Sequence, residues 1–161
     1  MKKFLIILQF IILTCIMLSF NPVTSKVLTY HYAKKHKINP KLFYNQIKTE
    51  SYFRCFIVSK KEAIGLGQVK YLTAKYIDKD IKKWELFLPW KNLDISARYM
   101  LYLQSRYNSN NSIILAAYNW GETNVDKVLA QNKISINSNT DYRYLFKDIN
   151  ETYQFIGKIL N

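Results

Sequence analysis

Apolar residues recur at intervals of three and four along most of the chain, and strand-like alternation is hard to find. This spacing predicts amphipathic helices. Asn39-Pro40 provides an N-cap followed by proline at the first helical position, and so predicts a helix that runs to about Ser51. Further helices are predicted at Leu93–Tyr107, from Asn111 or Ser112 to Asn119, from Thr123 or Asn124 through Leu129, and along the stripe Leu145, Ile149, Thr152, Ile156 and Ile159.

The first 25 residues differ from the rest of the chain. A short basic start precedes an apolar run from Phe4 to Phe20. That layout is typical of a secretory signal, with cleavage favoured before Lys26, and the run also reaches the lower limit for a membrane-spanning helix. We therefore expect residues 1–25 to be a signal peptide or, alternatively, an uncleaved anchor. Residues 26–161 are expected to form one all-α domain that works outside the cytoplasm.

Charge and cysteine content limit the partners. The formal net charge of +13 favours a polyanionic partner. An export segment and the lack of an arginine-rich stretch argue against nucleic acid, whereas a cell wall that carries carboxylates or phosphates fits. Cys15 lies in the leader, so Cys55 has no disulfide partner in the exported domain. Two histidines and a lone cysteine do not form a zinc set, and we expect no metal.

One carboxylate lies where a helix should be apolar. On the predicted helix from Pro40, Glu50 shares a face with Gln46 and with the core-type residues Phe43 and Ile47. Burial and the carbonyl end of the helix both disfavour its charge, so its pKa should be raised, as a general acid requires. Alternatively, Glu50 turns to solvent or pairs with Arg54.

The order of several short motifs favours the first interpretation, in which Glu50 is a general acid. They are Glu50-Ser51-Tyr52-Phe53, Ser59, Ala63-Ile64-Gly65-Leu66-Gly67-Gln68, Thr73-Ala74, Asn92 and Ala116-Ala117-Tyr118-Asn119-Trp120-Gly121. Together they resemble the soluble lytic transglycosylase domain, a relative of goose-type lysozyme, over nearly all of residues 38–149. The resemblance implies a lysozyme-like, mainly helical fold. It also implies an enzyme that cleaves the MurNAc–GlcNAc bond of peptidoglycan, leaves 1,6-anhydro ends and uses no cofactor.

The resemblance assigns roles to single residues. Glu50 takes the place of the catalytic acid and base. Ser59 and Gln68 match polar groups that line the cleft beside it, although Ser59 could instead cap the turn that follows and Gln68 could satisfy backbone groups in its own turn.

Further site residues come from the second half of the chain. Tyr118 and Asn119 match a pair that completes the cleft floor, although Tyr118 could also be a core residue. Tyr144 matches a tyrosine that points at the catalytic carboxyl, with Tyr142 as the alternative because the register there differs by one residue.

The chain also departs from the family pattern. Glu62 stands where the family usually has glycine, and Tyr71 replaces a proline. Gly67 replaces a methionine, which should widen a subsite. Trp120 replaces a small residue and either stacks on a sugar or packs in the core.

Two other functions are compatible with the same residues. One is a hydrolase of the goose-lysozyme kind, in which Glu62 or Asp94 positions a water. The other is a non-catalytic wall-binding or secretion-assembly component. For each of these functions we expect the protein in the periplasm or cell envelope. The expected partners are peptidoglycan strands and an envelope-spanning secretion apparatus, with a membrane contact only through an uncleaved leader.

Overall fold

The structure is a computed structural model that describes residues 2–161, apart from the side chains of Cys15 and Ile16. Met1, the first residue of the predicted leader, lies outside the described residues. The helices are α1 (Lys2–Ser19), α2 (Pro22–Lys35), α3 (Pro40–Ser51), α4 (Tyr71–Ile77), α5 (Pro89–Arg106), α6 (Asn111–Trp120), α7 (Glu122–Gln131) and α8 (Asn150–Leu160). Short 3₁₀ turns form at Lys83–Phe87 and Arg143–Phe146, and two short strands, β1 (Ala63–Ile64) and β2 (Val69–Lys70), form a hairpin.

The predicted helical class is confirmed, with shifts at several helix ends. Helix α3 has its predicted bounds, and the Asn39 side chain accepts hydrogen bonds from the backbone at its first turn. Helix α5 begins at Pro89 rather than at Leu93, because proline again occupies the first helical position. Leu145 belongs to a 3₁₀ turn, and α8 begins only at Asn150. The hairpin and α4 were not predicted.

The core holds α3 firmly in place. Phe43 and Ile47 of α3 are fully buried, as are Leu93 and Met100 of α5 and the apolar segment 113–117 of α6. Full burial of such a side chain is worth roughly 1.5–3 kcal/mol relative to exposure. The last turn of α3 is therefore fixed against the centre of the domain.

Asn92 ties the hairpin to α5. Its side chain is buried, accepts a hydrogen bond from the Gly67 amide at 2.8 Å, and donates to the carbonyl oxygens of Ile64 at 2.9 Å and Leu86 at 2.8 Å. These bonds satisfy three buried backbone groups with one side chain. The hairpin and the turn within it thereby become a rigid wall facing the end of α3.

The predicted boundary between leader and domain, after residue 25, falls inside a helix. Helix α2 begins at Pro22, and the Asn21 side chain caps it by accepting from the Val23 amide at 2.8 Å. Ser25 is fully buried. The predicted cleavage point before Lys26 therefore falls within the first turns of α2. Helix α1 is exposed and is long and apolar enough to cross a membrane.

Candidate active site

Glu50 lies in the last turn of α3 and lines a cleft of about 300 Å³. That volume is at the lower end of the roughly 300–1,000 Å³ typical of small-molecule sites. The remaining lining comes from the hairpin region, α5, α6 and the start of α8: Ser59, Lys60, Lys61, Ala63, Gln68, Val69, Lys70, Thr73, Tyr99, Tyr118, Asn119, Trp120, Gly121 and Glu151.

The Glu50 carboxyl holds its proton near neutral pH. Burial, helped by the negative charge of Glu151, raises its pKa to about 8. Among the described residues its side chain has no hydrogen-bond or ion-pair partner, and Arg54 instead donates to the Ser51 carbonyl at 3.0 Å. The raised pKa predicted from the apolar helix face is confirmed, and the alternative pairing with Arg54 does not form.

Ser59 and Gln68 both line the cleft, and both also serve the backbone around them. The Ser59 hydroxyl accepts from the Ala63 amide at 3.1 Å, so it caps its turn. The Gln68 side chain donates to the Gly65 carbonyl at 2.9 Å. Gln68 itself has a left-handed backbone with φ of +46°, which points to a locally constrained conformation at the cleft wall.

Tyr118 connects α6 to the hairpin. Its hydroxyl donates to the Gly67 carbonyl at 2.9 Å. A Cβ at position 67 would lie 2.0 Å from the Ser96 hydroxyl and 3.0 Å from the Tyr118 hydroxyl. The expectation that Gly67 widens a subsite is therefore wrong, because Ser96 and Tyr118 fill the space that a side chain would take.

Asn119 and Trp120 complete the far side of the cleft. The Asn119 side-chain oxygen accepts from the Thr152 hydroxyl at 2.8 Å. Trp120 lines the cleft and also packs on the main core. Its position is thus compatible with both roles expected from the sequence.

Neither candidate tyrosine of the 3₁₀ turn region lines the cleft. Tyr144 is 51% exposed. Tyr142 is buried, and its hydroxyl donates to the Ser135 carbonyl and accepts from the Asn137 amide, both at 3.0 Å. Tyr142 therefore holds the loop before it, and the structure does not bring Tyr144 to Glu50.

The carboxylate that joins Glu50 in the cleft is Glu151, which sequence reasoning missed. It lies in the first turn of α8, where a helix favours negative charge, and pairs with Lys61 at 2.6 Å. Glu62 is exposed and does not line the cleft. Asp94 is held by Lys35 at 2.7 Å and His36 at 2.9 Å, away from the cleft. Neither is placed to position a water beside Glu50.

Replacing Glu151 by glutamine is expected to move the alkaline limb of the activity profile to lower pH. The charge of Glu151 raises the pKa of Glu50, so its loss lets Glu50 give up its proton earlier as pH rises. The measurement is kcat/KM against pH. The exposed-carboxylate variant Glu62→Gln should keep the wild-type profile, and an unmoved limb in E151Q would contradict the assigned influence.

Replacing Glu62 by glycine is expected to raise the unfolding temperature slightly and to leave turnover unchanged. Glu62 has a left-handed backbone with φ of +58°, the conformation in which non-glycine residues are penalised by roughly 1–2 kcal/mol. Removing this strain should increase the free energy of unfolding, and the greater entropy of the unfolded chain with glycine offsets part of that increase. Thermal unfolding and the turnover rate measure the two effects. A large loss of turnover would show that Glu62 contributes to the site after all.

Fold and site together define a mainly helical domain in which the Glu50 carboxyl faces a groove lined by polar and aromatic side chains, as the motifs in the sequence predict. The family comparison agrees. The chain belongs to the transglycosylase SLT domain family, whose model matches residues 28–140.

Individual relatives are longer than this chain. It is 30% identical over 115 residues to the membrane-bound lytic murein transglycosylase C of Edwardsiella ictaluri, a match that covers 63% of this chain and 32% of that protein. The fold is similar to that of the 70 kDa soluble lytic transglycosylase from Escherichia coli, with a TM-score of 0.71 and 22% identity. It is also similar to the lytic transglycosylase Slt from Pseudomonas aeruginosa, solved as an inactive glutamate-to-glutamine mutant, with a TM-score of 0.69 and 23% identity. Each structural match covers 83% of this chain and 22% of the other, and these likenesses show the lysozyme-like fold.

Proposed function

We propose that this protein is a peptidoglycan lytic transglycosylase that cleaves the β-1,4 bond between N-acetylmuramic acid and N-acetylglucosamine. The observation that carries the proposal is Glu50, whose pKa of about 8 leaves a proton available at neutral pH inside a groove of sugar size. Membership of the SLT domain family supports the same reaction and the same substrate.

In the proposed mechanism one residue carries out both proton transfers. Glu50 donates its proton to the bridging oxygen as that bond to C1 of the muramoyl sugar breaks, and the neighbouring N-acetyl group stabilises the positive sugar. The Glu50 carboxylate then takes the proton from the muramoyl 6-hydroxyl, whose oxygen bonds to C1. The product ends in a 1,6-anhydro ring, Glu50 regains its proton and no water is consumed. Most glycosidases use two carboxylates instead.

The cleft residues support sugar binding around this acid. Asn119 and Gln68 offer amide groups on two sides of the groove, and Trp120 offers a ring face. Lys60 and Lys70 line the groove as cations, which suits the acidic groups that wall strands carry.

Digestion of purified sacculi tests whether the protein turns over its substrate or only binds it. We expect the purified protein to release soluble glycan fragments and to lower the turbidity of the suspension. A wall-binding or secretion-assembly component would sediment with intact sacculi and release nothing, and that result would overturn the proposal.

We further propose that the protein works in the cell envelope with its leader retained as a membrane anchor. The end of the leader is built into the domain: Phe20 stacks on Phe56 with ring centroids 4.9 Å apart, and the Cys55 thiol donates to the Phe20 carbonyl at 3.8 Å. Cleavage before Lys26 would remove these contacts and the Asn21 cap. Intact mass of the protein isolated from membranes tests this, and a chain that starts at Lys26 would contradict it.

An anchored enzyme of this kind acts on nearby strands, and an envelope-spanning secretion apparatus that needs a gap in the wall is the partner we propose. Helix α1 is long and apolar enough to cross a membrane, which supports a fixed position there. Crosslinking in intact cells followed by identification of the captured proteins tests the partner. Recovery of wall-synthesis proteins alone would favour general wall turnover.

A further inference from the structure

Four aromatic rings lie together where helix α1 leads into the domain. Phe20 follows the end of α1, and its ring centroid lies 4.9 Å from that of Phe56 and 6.4 Å from that of Trp90. Phe87 in turn stacks on Phe56, with centroids 6.5 Å apart. We call these four residues the Phe20 cluster. The domain leaves much of it uncovered, since Phe56 is 64% exposed and Trp90 is 38% exposed.

The composition of the Phe20 cluster indicates the kind of surface that it contacts. A single exposed apolar side chain needs no explanation, whereas a contiguous group of them marks a surface that binds another apolar surface. Trp90 combines an apolar ring system with a polar N–H group, and side chains of this kind are enriched at the boundary between membrane and water. The cluster is also continuous with a helix that is long and apolar enough to cross a membrane.

The length of α1 determines the depth of the cluster in an anchored protein. Its 18 residues extend about 27 Å at 1.5 Å per residue, close to the roughly 30 Å of a bilayer's hydrocarbon core. A helix that spans this core therefore ends at its edge, at Ser19, and Phe20 is the next residue. Phe56 and Trp90 lie within 6.4 Å of Phe20, and the headgroup layer is about 5–8 Å thick. Both rings therefore fall within that layer.

We propose that the Phe20 cluster is a membrane-binding surface, through which Phe56 and Trp90 insert into the headgroup layer at the end of α1. This inference rests on the retained anchor of the proposed function and adds a second membrane contact, made by the domain itself. A spanning helix holds a domain close to the membrane. A surface contact beside that helix also fixes the orientation of the domain, because it joins the two at a second point.

The contact determines where the cleft lies relative to the membrane. Ser59 lines the cleft and is three residues from Phe56, which separates their Cα atoms by at most about 11 Å even in a fully extended chain. This edge of the cleft therefore stays close to the membrane surface. The glycan strands that reach Glu50 are those nearest the membrane.

Quenching of tryptophan fluorescence by brominated lipid tests the proposal on the full chain. The vesicles contain phosphatidylcholine and phosphatidylglycerol, with or without bromine on the acyl chains close to the glycerol. In the variant Trp84→Phe/Trp120→Phe only Trp90 fluoresces, and in the matched control Trp84→Phe/Trp90→Phe only Trp120 does. We expect the brominated lipid to remove most of the Trp90 fluorescence and to affect Trp120 far less, since Trp120 packs on the core beside the cleft.

Single substitutions at exposed positions give a second readout. In the otherwise unchanged chain, Trp90→Phe should lower the fraction of fluorescence that brominated lipid quenches. Phe56→Asp should lower the quenching of Trp90, because a carboxylate is poorly tolerated near the hydrocarbon edge. Leu72→Asp is the matched control for Phe56→Asp, since Leu72 is 82% exposed on α4 and is not in the cluster, and it should leave the quenching unchanged.

Two results would overturn the inference. One is a chain that floats with the vesicles in a density gradient while Trp90 is not quenched, as would follow if a second copy or another protein covered the cluster. The other is a chain that does not float with the vesicles, which would remove the anchor together with this inference. Neither readout requires turnover. A protein that docks in this way and releases no glycan fragments would therefore contradict the proposed activity alone.

Discussion

Replacing Glu50 by glutamine is expected to lower the rate of glycan release by about 10²–10⁴-fold, the usual effect of removing a general acid and base. Glutamine has nearly the shape of the protonated carboxyl but has no proton to donate to the bridging oxygen. Because burial already disfavours the charged form of Glu50, a neutral side chain at this position should not destabilise the fold.

The initial rate of sacculus solubilisation measures this effect, and thermal unfolding shows whether the fold is intact. Glu62→Gln is the matched control, since that carboxylate is exposed and lies outside the cleft lining. Near-normal release by a folded E50Q protein would remove Glu50 from the mechanism.

Replacing Gly67 by alanine is expected to destabilise the protein strongly and to disrupt the cleft. The new Cβ would lie 2.0 Å from the Ser96 hydroxyl, 2.9 Å from the Ser96 Cβ and 3.0 Å from the Tyr118 hydroxyl. Overpacking of this kind costs about 1–3 kcal/mol and occasionally more. The backbone must also move away from Asn92 and Tyr118, which both hydrogen-bond to residue 67. We therefore expect a lower unfolding temperature together with reduced turnover.

Gly157→Ala is the matched control for this substitution. Gly157 lies within α8, and its added Cβ would meet only the guanidinium end of the Arg143 side chain at 3.1 Å and an Asn161 side-chain atom at 4.0 Å. Alanine favours helix more than glycine by roughly 1 kcal/mol, so this variant should be neutral or more stable. Ser96→Ala combined with G67A should recover part of the loss, since the closest contact disappears. A G67A protein that unfolds at the wild-type temperature would contradict the packing described around Tyr118.

Local sequence signals were sufficient for the helix that carries the acid. Asn39-Pro40 defines the start of α3 by capping chemistry, and the spacing of Phe43, Ile47 and Glu50 places the carboxyl on the buried face. Both signals act within one helix, so no tertiary information was needed. The motif order then brought in Gln68 and Asn119 from distant segments, and the cleft lining contains both.

Features that depend on tertiary packing could not be predicted from local sequence signals. Each strand of the hairpin has two residues, too few for an alternating pattern. The hairpin is held in place by Asn92 of α5, which is remote in sequence. Glu151 enters the cleft only because α8 packs against α3 and α6, and nothing around it in the sequence indicates that position. Gly67 was misjudged for the same reason, because its neighbours Ser96 and Tyr118 are remote in sequence.

The mass of the fragments released from purified sacculi tests the central claim most directly. If Glu50 regains its proton from the muramoyl 6-hydroxyl and that oxygen bonds to C1, each fragment is lighter by one water than the corresponding hydrolysis product. Such a fragment carries no reducing end. Fragments with the full hydrolytic mass would contradict this account, and would identify the protein as a hydrolase in which a water attacks the muramoyl sugar.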